Sequence, residues 1–353
     1  MTEWWAFKPV TTAYGKVKKL LLEPFNAWTW IKLMVIVFFV GAGASKLSSS
    51  YSNLFNYRTG GGYGTYYDFN QEVQNILSNG TLVTLIIGLI ILAVIVALIF
   101  TYLRNVFSFV FVKAVASGDV HVIKPMFDNV GRGFNLFIFT LAVSILTAII
   151  DLILIGAIVL GVFLIIKVGT ASAASIIIVL LAAIVMIILL LLLIAFSIAM
   201  GIFLGFTYDF VTPMVLFKNM GVRESWRHLW GSIKKDWQQY TVYVVTRWIV
   251  EIVVGILMLF IVLPVALIFI AILVIGGIMA FAIASTAIWL SVVIGLVLLV
   301  VFLIFILVML AISTPVAVYF RYYSLDVLKQ IDPSAVVYAE KFIPPTPPPA
   351  LSA

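Results

Sequence analysis

The chain has 353 residues, of which 64% are hydrophobic and 10% charged, with a mean hydropathy of +1.24 and a formal charge of +7. A soluble domain is nearer half apolar and a quarter charged, so this composition is that of an integral membrane protein. The absence of cysteine excludes disulfides, thiolate metal sites and cysteine nucleophiles. The basic excess is better explained by Lys and Arg flanking membrane spans than by a nucleic-acid partner.

Six apolar stretches follow in order, at residues 28–45, 82–103, 134–166, 172–206, 241–275 and 283–312. About 20 residues cross a bilayer core, so the first two read as single spans. The last four are longer and are expected to tilt, to extend past the core, or to break near Gly156, Gly161, Pro264 and Gly276-Gly277. Folding of one long stretch as two re-entrant halves is the alternative to six spans.

A basic lead carrying Lys16, Lys18 and Lys19 precedes the first span. Val17 to Lys19, the apolar run behind them and Ala42-Gly43-Ala44 imitate a secretory signal. The same segment fits an internal repeat, described below, and is expected to be retained. An outer loop at 46–80 follows, with Gly60-Gly61-Gly62 and Tyr51, Tyr57, Tyr63, Tyr66 and Tyr67. It reads as an irregular surface segment, with a short helix over 69–77 and a glycosylation pattern at Asn79-Gly80-Thr81.

Between the fourth and fifth stretches, Val222, Trp226, Leu229, Trp230, Ile233, Trp237 and Tyr240 recur at steps of three and four. This spacing predicts one amphipathic helix over 221–240. Its other face carries Arg223, Glu224, Arg227, His228, Lys234 and Lys235, the pattern of a helix lying on a membrane surface. Thr212-Pro213 and Thr314-Pro315 are expected to end or kink helices. The tail at 344–353 is proline-rich and reads as disordered or polyproline chain.

Gly15, Gly118 and Gly221 are spaced 103 residues apart. Under that shift Leu20, Ile123 and Trp226 coincide, as do Ala27, Val130 and Ile233, and Ile31, Phe134 and Trp237. Polar positions coincide too: Asn26, Asn129 and Ser232, then Lys32, Asn135 and Gln238. The pattern predicts three units, at about 1–107, 108–210 and 211–330, each an interfacial helix followed by a transmembrane hairpin. Most Lys and Arg fall on the side of the interfacial segments, with only Lys46, Arg58 and Lys167 on the other. This bias places both termini in the cytoplasm.

Four charges fall inside the spans: Lys32, near the start of the first and able to reach the interface by snorkelling, and Asp151, Arg247 and Glu251, the three considered for a site. Arg247 and Glu251 are four apart and can pair on one helix face. Charges at membrane depth face a bundle interior or water, so the three are read either as a polar site for an ion or solute or as structural groups. The basic residues Lys16, Lys18, Lys19, Arg223, Arg227, Lys234 and Lys235 are read as contacts for anionic lipid headgroups. Enzyme signals are poor. The two histidines, His121 and His228, lie outside the spans, and there is no H-E-x-x-H or phosphate-binding G-x-x-x-x-G-K.

The segments KKLLLEPFNAWTWIKL, FVFVKAVASGDVHVIKPMFDNVGRGFNLF and FVTPMVLFKNMGVRESWRHLW together resemble an uncharacterised family of archaeal six-span membrane proteins known as a domain of unknown function. The last also resembles the GV-x-x-SW segment of the superfamily named for the glycerophosphoryl diester phosphodiesterase membrane domain. The resemblance implies topology and an archaeal membrane. It implies no substrate, and the soluble catalytic domain that gives that superfamily its name has no counterpart in this sequence.

The expected fold is an all-α polytopic bundle of about six transmembrane helices in three pseudo-repeated hairpins, with cytoplasmic amphipathic helices, as one membrane domain over 1–343. The expected function is that of a non-enzymatic scaffold, assembly or lipid-organising component of the cell membrane, without metal or cofactor. Its expected partners are the bilayer with its anionic lipids and a protein partner or a second copy, not nucleic acid. A transporter or channel using Asp151, Arg247 and Glu251 is the alternative.

Overall fold

The computed structural model describes residues 4–41, 78, 80–168, 173–336 and 338. The outer loop from 46 to 77, Asn79 and the proline-rich tail lie outside the described residues. Among the described residues every regular element is helical. In order these are α1 (Lys8–Leu21), α2 (Ala27–Val40), α3 (Gly80–Ser117), α4 (Ile123–Asp128), α5 (Val130–Val168) and α6 (Ala173–Phe206). A π-helical turn (Thr207–Val211) then leads into α7 (Thr212–Phe217), α8 (Val222–Lys235), α9 (Trp237–Ala284) and α10 (Ile288–Ile331), with a 3₁₀ turn at Pro333–Ala335 closing the described chain.

Local chemistry sets the ends. Asn26 starts α2 by accepting the N–H groups of Trp28 and Thr29 at 2.9 and 3.4 Å. Gly118, at φ 64°, stops α3 in the left-handed conformation that costs glycine least. Among the described residues five helices are long and apolar enough to cross a membrane: Gly80–Ser117, Val130–Lys167, Ile177–Phe217, Trp237–Ala284 and Ile288–Ile331. The first expected span corresponds to α2, which has 14 residues, about 21 Å of helix.

The structure differs from the sequence reading at several points. α5 runs unbroken through Gly156 and Gly161, and α9 through Pro264 and Gly276-Gly277. The α9–α10 turn lies at 285–287, so the two helices take up their length by extension rather than by breaks. Neither Thr-Pro pair ends its helix: Thr212-Pro213 follows the π turn directly, and Pro315 lies inside α10. The helix expected over 221–240 is two elements. Asp236, at φ −127° and ψ 42°, breaks it, capping α8 through the Ser232 carbonyl and receiving the Gln239 N–H at 2.9 Å. Trp237 and Tyr240 therefore belong to α9. A shift of 103 residues lays 222–235 over the short α4 region, and a second shift lays it over the junction of α1 and α2. The three segments in this register are not three copies of one helix.

The buried core sits at one end. It gathers the last turns of α3 around Phe109 and Val112, the π turn and α7 with Phe210 and Met214, the start of α9 at Tyr240 and Tyr243, and the end of α10 from Val318 to Leu328. α1, α2 and α8 pack on it through Ala13, Ile36 and Leu229. Beyond this core the helices are bare. No residue in the most apolar 18-residue stretch of any of the five long helices is buried. In water that surface would be prohibitive; against lipid tails it is expected.

Candidate functional site

At the edge of the core, where α6 passes into the π turn and α9 leaves the core, a charged cluster closes the base of a cleft. The π turn creates it. It sends the Thr212 N–H to the Thr207 carbonyl, and Pro213 has no N–H to offer the next carbonyl, that of Tyr208. Arg321 of α10 donates to that carbonyl at 2.8 Å. The guanidinium lies 5.3 Å from the Phe111 ring centroid, is 6% exposed and has no carboxylate partner among the described residues. The widened turn also directs Asp209, 6% exposed, toward α9.

Asp209 meets Arg247 there in an ion pair. Tyr243 sits between them: its hydroxyl donates to Asp209 Oδ2 at 3.1 Å and accepts from Arg247 Nη1 at 2.9 Å. One turn further along α9, Arg247 Nε donates to Glu251 Oε1 at 2.9 Å. Tyr243 stacks on Tyr323 of α10, with ring centroids 5.6 Å apart, which ties the cluster to a third helix. A neighbouring network joins the two earlier helices. Tyr208 and Thr140 both approach Asn105 Oδ1, at 3.4 and 3.5 Å, and Arg104 lies over the Tyr208 ring.

Of the three intramembrane charges considered for a site from sequence, Arg247 and Glu251 come together and Asp151 does not join them. Asp151 lies on α5, and its buried Oδ1 has no partner among the described residues. Asp209 was missed. Its signal in the sequence is an acidic residue four positions before a proline, at the end of an apolar run.

Two further ion pairs hold the termini to the core. Lys16 of α1 bonds to Asp326 of α10, which also accepts from Thr12 at 2.9 Å and Tyr338 at 2.7 Å. Burial pulls the Lys16 ammonium below its ordinary value, and the Asp326 charge opposes that fall. Lys16 is therefore no lipid contact: it points inward. Lys218, just past α7, bonds to Asp332 at the end of α10. Partial burial would raise the Asp332 carboxyl, but hydrogen bonds from Lys218 and Ser334 outweigh it and hold it below 3.8.

The remaining basic residues named from sequence face outward. Lys18 pairs with Glu23 at 2.7 Å on the surface, and Lys19 is exposed. On α8, Leu229 is buried and Trp226 stacks on Phe203 at 4.2 Å, while Arg223, Arg227, Lys234 and Lys235 are exposed and form no ion pair among the described residues. Trp230 and Trp237 stand exposed beside them. Among the described residues no group of three or more His, Asp or Glu side chains could hold a metal ion.

No curated protein and no solved structure matches the chain. One family model does match, over residues 4–338, nearly the whole length, and by that match the chain belongs to the family of unknown function DUF7544.

Proposed function

We propose that the chain is a multi-pass protein of the cell membrane that works as a non-enzymatic scaffold, organising lipid and membrane partners around a cytoplasmic base. In this reading α2 completes a set of six spans, arranged as three related hairpins with both termini in the cytoplasm. The archaeal setting and the kinship with the phosphodiesterase membrane-domain superfamily belong to the same reading. The observation that carries it is α8. Its apolar stripe is docked on the core, while Arg223, Arg227, Lys234 and Lys235, none of them in an ion pair among the described residues, stand exposed with Trp230 at the charged end of a molecule whose other end is bare hydrocarbon. Such a helix attracts anionic headgroups at about 1 kcal/mol per cation near the surface.

Changing Arg223, Arg227, Lys234 and Lys235 together to Gln is expected to remove most of the preference of the reconstituted protein for anionic over zwitterionic lipid. A lipid profile indistinguishable from the parent would overturn the lipid-organising role. Cysteine labelling at positions 18, 132 and 235 tests the orientation, and labels divided between the two sides of the membrane would refute it.

A further inference from the structure

The charged cluster forms the floor of a cleft of about 320 Å³ between α6 and α9. The walls are apolar, with Ile198, Ile202, Val244 and Trp248 among them, and Gly201 and Gly205 on the α6 side leave room for a chain. The floor presents Asp209, Arg247 and Glu251, two carboxylates against one guanidinium. Arg321 stands behind that floor, committed to the Tyr208 carbonyl, and does not line the cleft. Asp209 is consumed by Arg247 and Tyr243. Glu251 is not: one oxygen accepts from Arg247, the other has no partner among the described residues, and the side chain is 45% exposed. Trp248, three residues earlier on the same helix and 44% exposed, faces the same space. A carboxylate with spare acceptor capacity beside an indole face is the chemistry that holds an ammonium group. Apolar walls above it suit a hydrocarbon tail.

We infer that the α6–α9 cleft binds an amphiphile whose head is a protonated amine, with Glu251 and Trp248 on the ammonium and the tail lying along Gly201 and Gly205. This rests on the membrane reading above but not on the anionic-lipid role of α8, so the two can fail separately. The amine belongs to a membrane lipid rather than to a small amine dissolved in water, and chain length separates these sources.

The test uses the full chain in phosphocholine nanodiscs and measures retention of hexadecylammonium, hexadecanol and hexadecyl sulfate against empty discs, with butylammonium as a soluble competitor. Hexadecylammonium is expected to be retained about fivefold better than hexadecanol, the factor a half-exposed ion pair supplies. Glu251→Gln should abolish that preference. Gly205→Leu, whose added carbon meets no atom within 4 Å, should lower retention of both uncharged and charged probes by filling the cleft. Butylammonium should not compete. Equal retention in empty discs, a preference for the sulfate, displacement by butylammonium, or an unchanged profile in both variants would each overturn the proposal. Anionic-lipid association measured on the same Glu251→Gln sample should stay at the parental level.

Discussion

Replacing Lys16 by Met tests whether the first amphipathic helix is held by chemistry as well as by packing. Lys16 is 14% exposed and its partner Asp326 9%, so neither charge has much water to fall back on. Two opposite charges about 4 Å apart attract by about 4 kcal/mol at an effective dielectric of 20, and most of that offsets their desolvation. Removing one partner exposes the uncompensated cost, about 3–5 kcal/mol for a buried pair. Asp326 keeps the Thr12 and Tyr338 hydroxyls at 2.9 and 2.7 Å, which puts the expectation at the low end, about 3 kcal/mol. The Lys16→Met/Asp326→Asn double variant should recover about 2 kcal/mol of the summed losses, because it leaves no orphan charge. The assay is amide hydrogen exchange over 8–21 in the reconstituted protein. The opening free energy of α1 should fall by these amounts, while amides of α9 beyond 255 stay unchanged. A coupling below about 0.5 kcal/mol would refute the argument that this pair, rather than the apolar contacts of Ala13 and Leu20, anchors α1.

Gly133 lies where α5 crosses α3, and a methyl group there would sit 2.9 Å from the Val106 backbone. Gly133→Ala is expected to cost about 1–3 kcal/mol through displaced helices, whereas Gly131→Ala, with open space around it, should be neutral or slightly stabilising in a thermal melt. Asp332 is held below 3.8 in the folded chain, so the unfolded chain binds more protons on acidification. Its contribution is complete above 3.8 and is lost as pH falls through the folded value. The melting-temperature gap between the parent and Asp332→Asn should therefore close in that acid window and stay constant above it. Asp209→Ala should destabilise by about 1–3 kcal/mol, since it leaves the buried Tyr243 hydroxyl without its acceptor and Arg247 with Glu251 alone as carboxylate partner. Glu251→Gln should cost less than that, because the amide keeps an oxygen that can accept from Arg247 Nε. Equal losses from these two variants would contradict the assignment of Asp209 as the buried partner.

The sequence showed the helices and hid what joins them. Arg247 and Glu251 could be paired from spacing alone because both lie on one helix face four residues apart. Asp209 could not be added, because it reaches Arg247 only after a π turn rotates the chain, and the periodicity of an apolar run carries no mark of one extra residue per turn. Asp151 failed to join because its helix, α5, packs chiefly against α3 and α6 rather than against α9. Lys16 was indistinguishable in sequence from Lys18 and Lys19. Its partner is 310 residues away, and no local pattern reports such a contact. The break at Asp236 was masked because Trp237 and Tyr240 continue the same three-and-four spacing on the far side of it.

Length gives the last argument. From Ile252 to Ala284, α9 carries no charge, and neither does α10 from Ile288 to Phe320. Each run is 33 residues, about 50 Å of helix. The uncharged part of α3, residues 80–103, is only about 36 Å. A hydrocarbon core of about 30 Å accommodates α3 with modest tilt, but fitting a 50 Å run wholly inside it would need about 53°, beyond the range of about 0–40° that membrane helices adopt. At 40° such a run still rises about 38 Å, so the α9–α10 tip should stand clear of the core by several ångströms. The tip itself is Ser285-Thr286-Ala287, polar enough to be wetted. Since the chain has no native cysteine, a Ser285→Cys variant reports this directly. A membrane-impermeant thiol reagent added from the side opposite the basic base should modify it at close to the rate of a free peptide thiol, while Phe269→Cys should stay protected. Equal protection of both positions would mean that the hairpin lies down inside the bilayer, and the basic end could then no longer be taken to define one face of the membrane.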